Sequence, residues 1–103
     1  MTTVDERQEI DIERLYRLCK ALASPVRIEI VRFVSQHPRC IANEILLHLP
    51  DEIARAQSTL SQHLKILCAA GVLEAEPDGA ATCYRLHQEQ LEWLREQLGA
   101  LVV

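Results

Sequence analysis

Apolar positions recur along this chain at helical spacing in five blocks and mark a pair of strands once, near the C-terminal third. Ile12, Leu15, Leu18, Cys19 and Leu22 share one side of a helix running from Asp5 to Leu22, and Glu, Arg, Gln and Lys fill the other side. Ser24 supplies a cap and Pro25 fits a first helical position, where no backbone donor is needed. The second helix, Pro25 to Gln36, carries Val26, Ile30 and Val34, with Ile28, Val31 and Phe33 filling in. It is apolar around much of its circumference and should sit centrally. Pro38 disfavours helix at His37 and closes this block. Ile41, Ile45, Leu46 and Leu49 predict a short third helix that stops before Pro50.

After the polar stretch "DEIARA", Leu60, Leu64 and Leu67 stand at i, i+4 and i+7 and predict a fourth helix ended by Gly71. "VLEAE" and "ATCYRL" then flank "PDGA", where Asp78-Gly79 is a two-residue hairpin signal. The last helix, Gln88 to Leu101, has one stripe of Leu91, Leu94, Leu98 and Leu101, and a second with Trp93 and Ala100. Two apolar faces on a terminal helix exceed what one small domain normally buries.

The fourth helix has an unusual outer face. A step of about 100° per residue gathers Ser58, Ser61, Gln62 and Lys65 opposite the leucines, with Thr59 and His63 on the flank. A merely solvated face would favour Glu, Lys and Arg, which suit helix and solubility better. Short side chains that both donate and accept hydrogen bonds suit entry into a DNA groove: Gln62 can pair bidentately with adenine, and Ser or Thr can meet base or phosphate. Two short helices followed at once by a hairpin define a winged helix-turn-helix, mainly α, with a two-stranded wing. Gln57 and Thr59 open the reading helix, whose free backbone N–H groups suit a phosphate, while Arg55, Lys65 and Arg27 supply cations.

Composition then trims the alternatives. The chain has 103 residues, 49% of them hydrophobic and 4% aromatic, which fits one domain spanning 1–103 with a Leu, Ile, Val and Ala core. Its formal net charge of −4 argues against gripping nucleic acid by bulk positive charge, so any basic patch is local. The wing tip, "EAEPDGAAT", is acidic and would repel phosphate. Affinity is therefore expected from the fourth helix and Arg85, with a strong salt dependence. The N-terminus lacks an apolar leader and no run of about 18 apolar residues occurs, so a cytoplasmic protein with no membrane contact is expected. No Gly-rich phosphate loop, paired carboxylates or Ser/His/Asp set points to an enzyme, and no cofactor is required.

"ALASPVRIEIVRFV", "STLSQHLKILCAAGVLE" and "CYRL" together resemble the ArsR/SmtB family of dimeric bacterial winged-helix repressors, over roughly Leu15 to Leu86. The resemblance implies a homodimer through the first and last helices, with Leu15, Cys19, Leu91, Trp93, Leu94 and Leu98 at the contact. It also implies binding to double-stranded operator DNA, and release by an inducer such as As(III), another thiophilic ion or thiol oxidation. The chain departs from two metal sites of the family. In "RCIANE" Cys40 is present but Ala42 replaces the second thiol of a Cys-x-Cys pair, and the last helix offers only His87, preceded by Leu86 and Arg85 rather than an acid-bearing pair. What remains is a distributed thiol option: Cys40 and Cys83 as neighbours that form a disulfide, or bind a metalloid with a third thiol. Cys19 and Cys68 read as packing residues. The competing reading keeps the fold and uses it as a protein–protein interaction module, in keeping with the acidic wing.

Overall fold

The computed structural model describes residues 10–50 and 57–102. Among the described residues the order is α1 (Ile12–Leu22), α2 (Pro25–Gln36), β1 (Cys40–Ile41), α3 (Ala42–His48), α4 (Gln57–Ala69), β2 (Leu73–Asp78), β3 (Ala81–Leu86) and α5 (Gln88–Leu101). Among the described residues five helices accompany a small antiparallel sheet of order β1-β3-β2.

Local chemistry sets the boundaries. Helix α1 begins at Ile12, where the Asp11 carboxylate accepts from the Arg14 amide at 3.1 Å and caps it; the expected helical stretch from Asp5 to Glu9 lies outside the described residues. Ser24 Oγ accepts from the Arg27 amide at 3.3 Å, with Pro25 in the first turn of α2. Ile41, expected in the third helix, instead pairs with Cys83 on β3, and the Glu44 carboxylate accepts from its amide at 2.9 Å. α4 ends in a paired motif: the Val72 amide donates to Leu67 O and the Gly71 amide to Cys68 O, at 2.9 and 3.1 Å. Gly71 has φ 85°, a left-handed conformation that favours glycine, while a Cβ there would meet only the movable end of the Gln90 side chain.

The wing differs from expectation by one residue. Asp78 pairs with Ala81, so the two-residue loop is Gly79–Ala80 and Asp78 belongs to the strand. Gly79 has φ 64°, which suits a hairpin turn with glycine first.

The core joins Leu18 and Ala21 of α1 to Ile30 and Val34 of α2. From the other side Ile45 of α3 and Leu60, Leu64 and Leu67 of α4 meet them, and Leu94 of α5 closes one end. Leu94 is 6% exposed, so it serves the chain's own core and leaves little for a partner subunit. Leu15, Leu91 and Trp93 are partly buried against the same core. Apolar surface is left open on Ile12, Tyr16 and Cys19 of α1 and on Leu98, Leu101 and Val102 at the end of α5, and singly at Ile28, Leu47 and Ile66. Among the described residues no helix is long and apolar enough to cross a membrane.

Candidate nucleic-acid interface

The buried leucines of α4 fix its orientation, and through it the outer face. Leu60, Leu64 and Leu67 are buried, so Thr59, Ser61, Gln62 and Lys65 stand exposed on the far side. The backbone of Gln57 and Ser58 opens α4, but their side chains, and all of Arg55, lie outside the described residues. Three of the four side chains expected on the outer arc, Ser61, Gln62 and Lys65, thus stand open, with Thr59 of the flank exposed beside them.

His63 is half-buried on the flank of that surface and belongs partly to the fold. Arg27 Nη1 donates to His63 Nδ1 at 3.2 Å, and Arg27 Nε donates to the Ala21 carbonyl at 2.6 Å. Arg27 is thereby anchored between the end of α1 and α4 rather than loose in solvent. Burial, and then the Arg27 charge, hold the His63 pKa below its ordinary value of 6.5. The neutral ring is the acceptor that Arg27 needs.

A stability effect follows from that lowered pKa. The unfolded chain protonates His63 near its ordinary value, whereas the folded one resists protonation. The contribution is fully present above that value and is lost as pH falls through the lower folded pKa. Thermal melts between pH 7.5 and 5 are expected to show a larger loss for the wild type than for His63→Gln. Parallel pH profiles would remove this role for His63.

Arg85 is placed differently from expectation. Its Nε donates to Glu74 at 3.0 Å and its Nη1 to Glu76 at 3.2 Å. The Glu74 hydrogen bond, followed by the Glu76 and Glu74 charges, raises its pKa further. The guanidinium is occupied by the wing and is not a free phosphate ligand. Arg39, which the sequence reading did not single out, adopts φ 65°, a conformation sparsely populated by residues with side chains. Its guanidinium reaches Glu76 at 3.8 Å and Asp78 at 3.6 Å. Two arginines thus offset the wing's carboxylates, which softens the repulsion that the acidic tip would exert on a phosphate backbone. The positive φ of Arg39 left no sequence signal; its place just after Pro38 was the only hint.

Cys40 and Cys83 occupy adjacent rungs of the sheet but not one site. Cys40 pairs with Tyr84 and Cys83 with Ile41, and side chains alternate faces along a strand. Cys40 joins the core, while Cys83, also buried, stands apart from it and donates its thiol to Asp78 Oδ2 at 3.2 Å. A disulfide between opposite faces would require backbone movement. Burial raises the Cys40 pKa, and the Asp78 hydrogen bond followed by burial raises that of Cys83, so both persist as protonated thiols. Among the described residues no three His, Cys, Asp or Glu side chains form a group that could hold a metal ion. Cys68 is half-buried against the core, as a packing residue would be, whereas Cys19 is exposed.

A sheet-backed hairpin beside an exposed polar helix, with α3 preceding it, defines a winged helix-turn-helix. The family model described as penicillinase repressor matches residues 23–103, from just before α2 to the C-terminus. The HTH-type transcriptional repressor SmtB of Mycobacterium tuberculosis is 44% identical over 75 residues, covering 72% of this chain and 51% of that protein. The chain thus spans about half the length of the curated relatives it matches first. An ArsR-like transcriptional regulator from Rhodococcus sp. RHA1 shares the fold, with a TM-score of 0.74 and 22% identity over 87% of this chain and 80% of that one. A homodimeric winged helix-turn-helix DNA-binding domain from Mycobacterium bovis superposes with a TM-score of 0.68 at 22% identity, over 88% of this chain and 79% of that one. The chain belongs to the penicillinase repressor family by the first match, and it is similar in sequence to an SmtB repressor and in fold to an ArsR-like regulator.

Proposed function

We propose that this chain is a homodimeric repressor that binds operator DNA and releases it in response to a chemical signal. The observation that carries the reading is the exposed set Thr59, Ser61, Gln62 and Lys65 on a helix anchored by three buried leucines. That face can read base edges with few charges, and Arg27 and Lys65 supply phosphate contacts at its margins. The dimer is supported by the open apolar surface on α1 and α5, and by the homodimeric state named for the Mycobacterium bovis neighbour. Cys19 and Leu98 are the proposed contact residues that stand open for a partner. A two-fold axis would set two copies of α4 about one DNA turn apart.

Fluorescence anisotropy with duplexes from the gene's own promoter, at stated salt, tests the reading. A preference over random duplex by a factor of about 10³ or more is expected of a specific regulator. Equal affinity for both duplexes would favour a protein-interaction module instead. Sedimentation analysis of the free protein reads the dimer independently.

The releasing signal proposed is a reaction of thiols at Cys40 or Cys83 with a metalloid, a soft metal or an oxidant. Because both are buried and protonated, reaction would require the β1–β3 seam to open, and that opening would displace the wing. Cys40 and Cys83 are accordingly expected to react only slowly with a thiol reagent until urea is added. The anisotropy assay repeated with As(III), Cd(II), Zn(II) and an oxidant decides the signal. An effect that vanishes in Cys40→Ser or Cys83→Ser supports it, and no effect from any of them rejects the thiol signal alone.

A further inference from the structure

Arg27 and Ile66 line two adjoining cavities, one beside the reading face and one between α1 and the end of α4. The second has a volume of ≈ 370 Å³, within the range of small-molecule sites and towards its lower end. Its floor is Ala21, Ile66, Ala69 and Ala70, small or apolar side chains that leave room rather than fill it. Its polar rim is Arg17, Lys20 and Arg27, all cationic, and no carboxylate lines it among the described residues. Nor does any ion pair among the described residues engage these three cations. On α1, at about 100° per residue, Arg17 and Ala21 face away from the Ile12–Tyr16–Cys19 stripe. Most of the cavity therefore lies on a different side of the helix from the apolar stripe, with Lys20 between them, its Nζ 5.7 Å from the Tyr16 ring centroid.

We propose that this cavity binds a small organic anion with an apolar tail, its carboxylate among Arg17, Lys20 and Arg27 and its tail on the Ala21–Ile66–Ala70 floor. An unscreened cluster of like charge over an apolar floor favours an amphipathic anion over a neutral or cationic ligand of equal size. Arg27 links the site to α4, because it lines the cavity and its guanidinium donates to His63. A carboxylate competing for that guanidinium would loosen the Arg27–His63 contact and shift the face that carries Thr59 and Gln62. The effect on DNA rests on the repressor reading above, whereas the binding does not.

Octanoate serves as the probe, with octanamide and octylamine as uncharged and cationic controls. Backbone amide shifts of ¹⁵N-labelled protein, recorded without DNA, are expected to saturate with octanoate at Ile66, Ala69 and Ala70. The controls should bind at least about tenfold more weakly, and Arg17→Gln with Lys20→Gln should weaken octanoate by about tenfold, the scale of two partly solvated charge contacts. Ala69→Trp should fill the cavity and abolish the shifts. Equal binding of all three probes, shifts confined to other residues, or an unchanged affinity in the double variant overturns the proposal. So does a double variant that loses duplex affinity while the wild type ignores octanoate, which would assign these cations to the phosphate backbone. A wild type that binds octanoate at these residues but prefers no duplex keeps the site and loses only the repressor reading.

Discussion

Ser61→Glu combined with Gln62→Glu is expected to raise the operator Kd at least about 100-fold at physiological salt, with the fold intact. Both side chains are exposed on α4, so neither substitution disturbs the buried leucines behind them. Each lost base-edge contact is worth about 1–3 kcal/mol, and about 1.4 kcal/mol is a tenfold change. The introduced carboxylates add repulsion from the phosphates on either side of the groove. Circular dichroism should report unchanged helicity and melting, while anisotropy reports the loss. Retained affinity would mean that the polar face of α4 does not meet DNA. The affinity would then have to come from elsewhere on a chain whose net charge is −4.

The same helix shows what a sequence can and cannot disclose. Periodicity placed its leucines inward and hence its polar face outward, because side-chain direction on a helix follows from spacing alone. Ser24 and Pro25 located the start of α2, and Gly71 the end of α4, because caps are local chemistry. Strand register is not local in that sense. Moving the turn from Asp78–Gly79 to Gly79–Ala80 changes which residues face each other, and with them the fate of Arg85. Glu74 lies directly across from Arg85 and Glu76 two rungs further on, on the same face, so the expected phosphate ligand became an ion-pair partner within the wing.

Parity also separated Cys40 from Cys83. Their segments do meet in the sheet, as the winged fold implied, yet a one-residue offset puts the side chains on opposite faces. The division of α5 was hidden for another reason. Leu91, Leu94 and Leu98 form one stripe, and only the tertiary packing shows that Leu94 is spent on the chain's own core while Leu98 is 44% exposed. Arg17 and Lys20 read as ordinary solvated positions of α1, and only the arrival of α4 beside them makes a cavity.

Leu67→Ala should be the most destabilising change on α4, and Lys65→Ala, two residues away, should be nearly silent in the same melt. Leu67 is 0% exposed, and its carbonyl also receives the Val72 amide that closes the helix. Removing a fully buried leucine costs about 2–5 kcal/mol, against a total of roughly 5–15 kcal/mol for a domain of this size. The midpoint should fall by about 10 °C or more when protein concentration is held fixed, since a dimer's melting depends on it. Lys65 is exposed, so its removal should change stability by no more than about 0.5 kcal/mol. On DNA the order reverses: Lys65→Ala should weaken all duplexes alike and reduce the slope of log K against log salt by about one. Leu67→Ala, measured well below its melting point, should keep the wild-type slope because it removes no charge. A slope lowered by the leucine change but not by the lysine change would mean that α4 presents a different side to its partner.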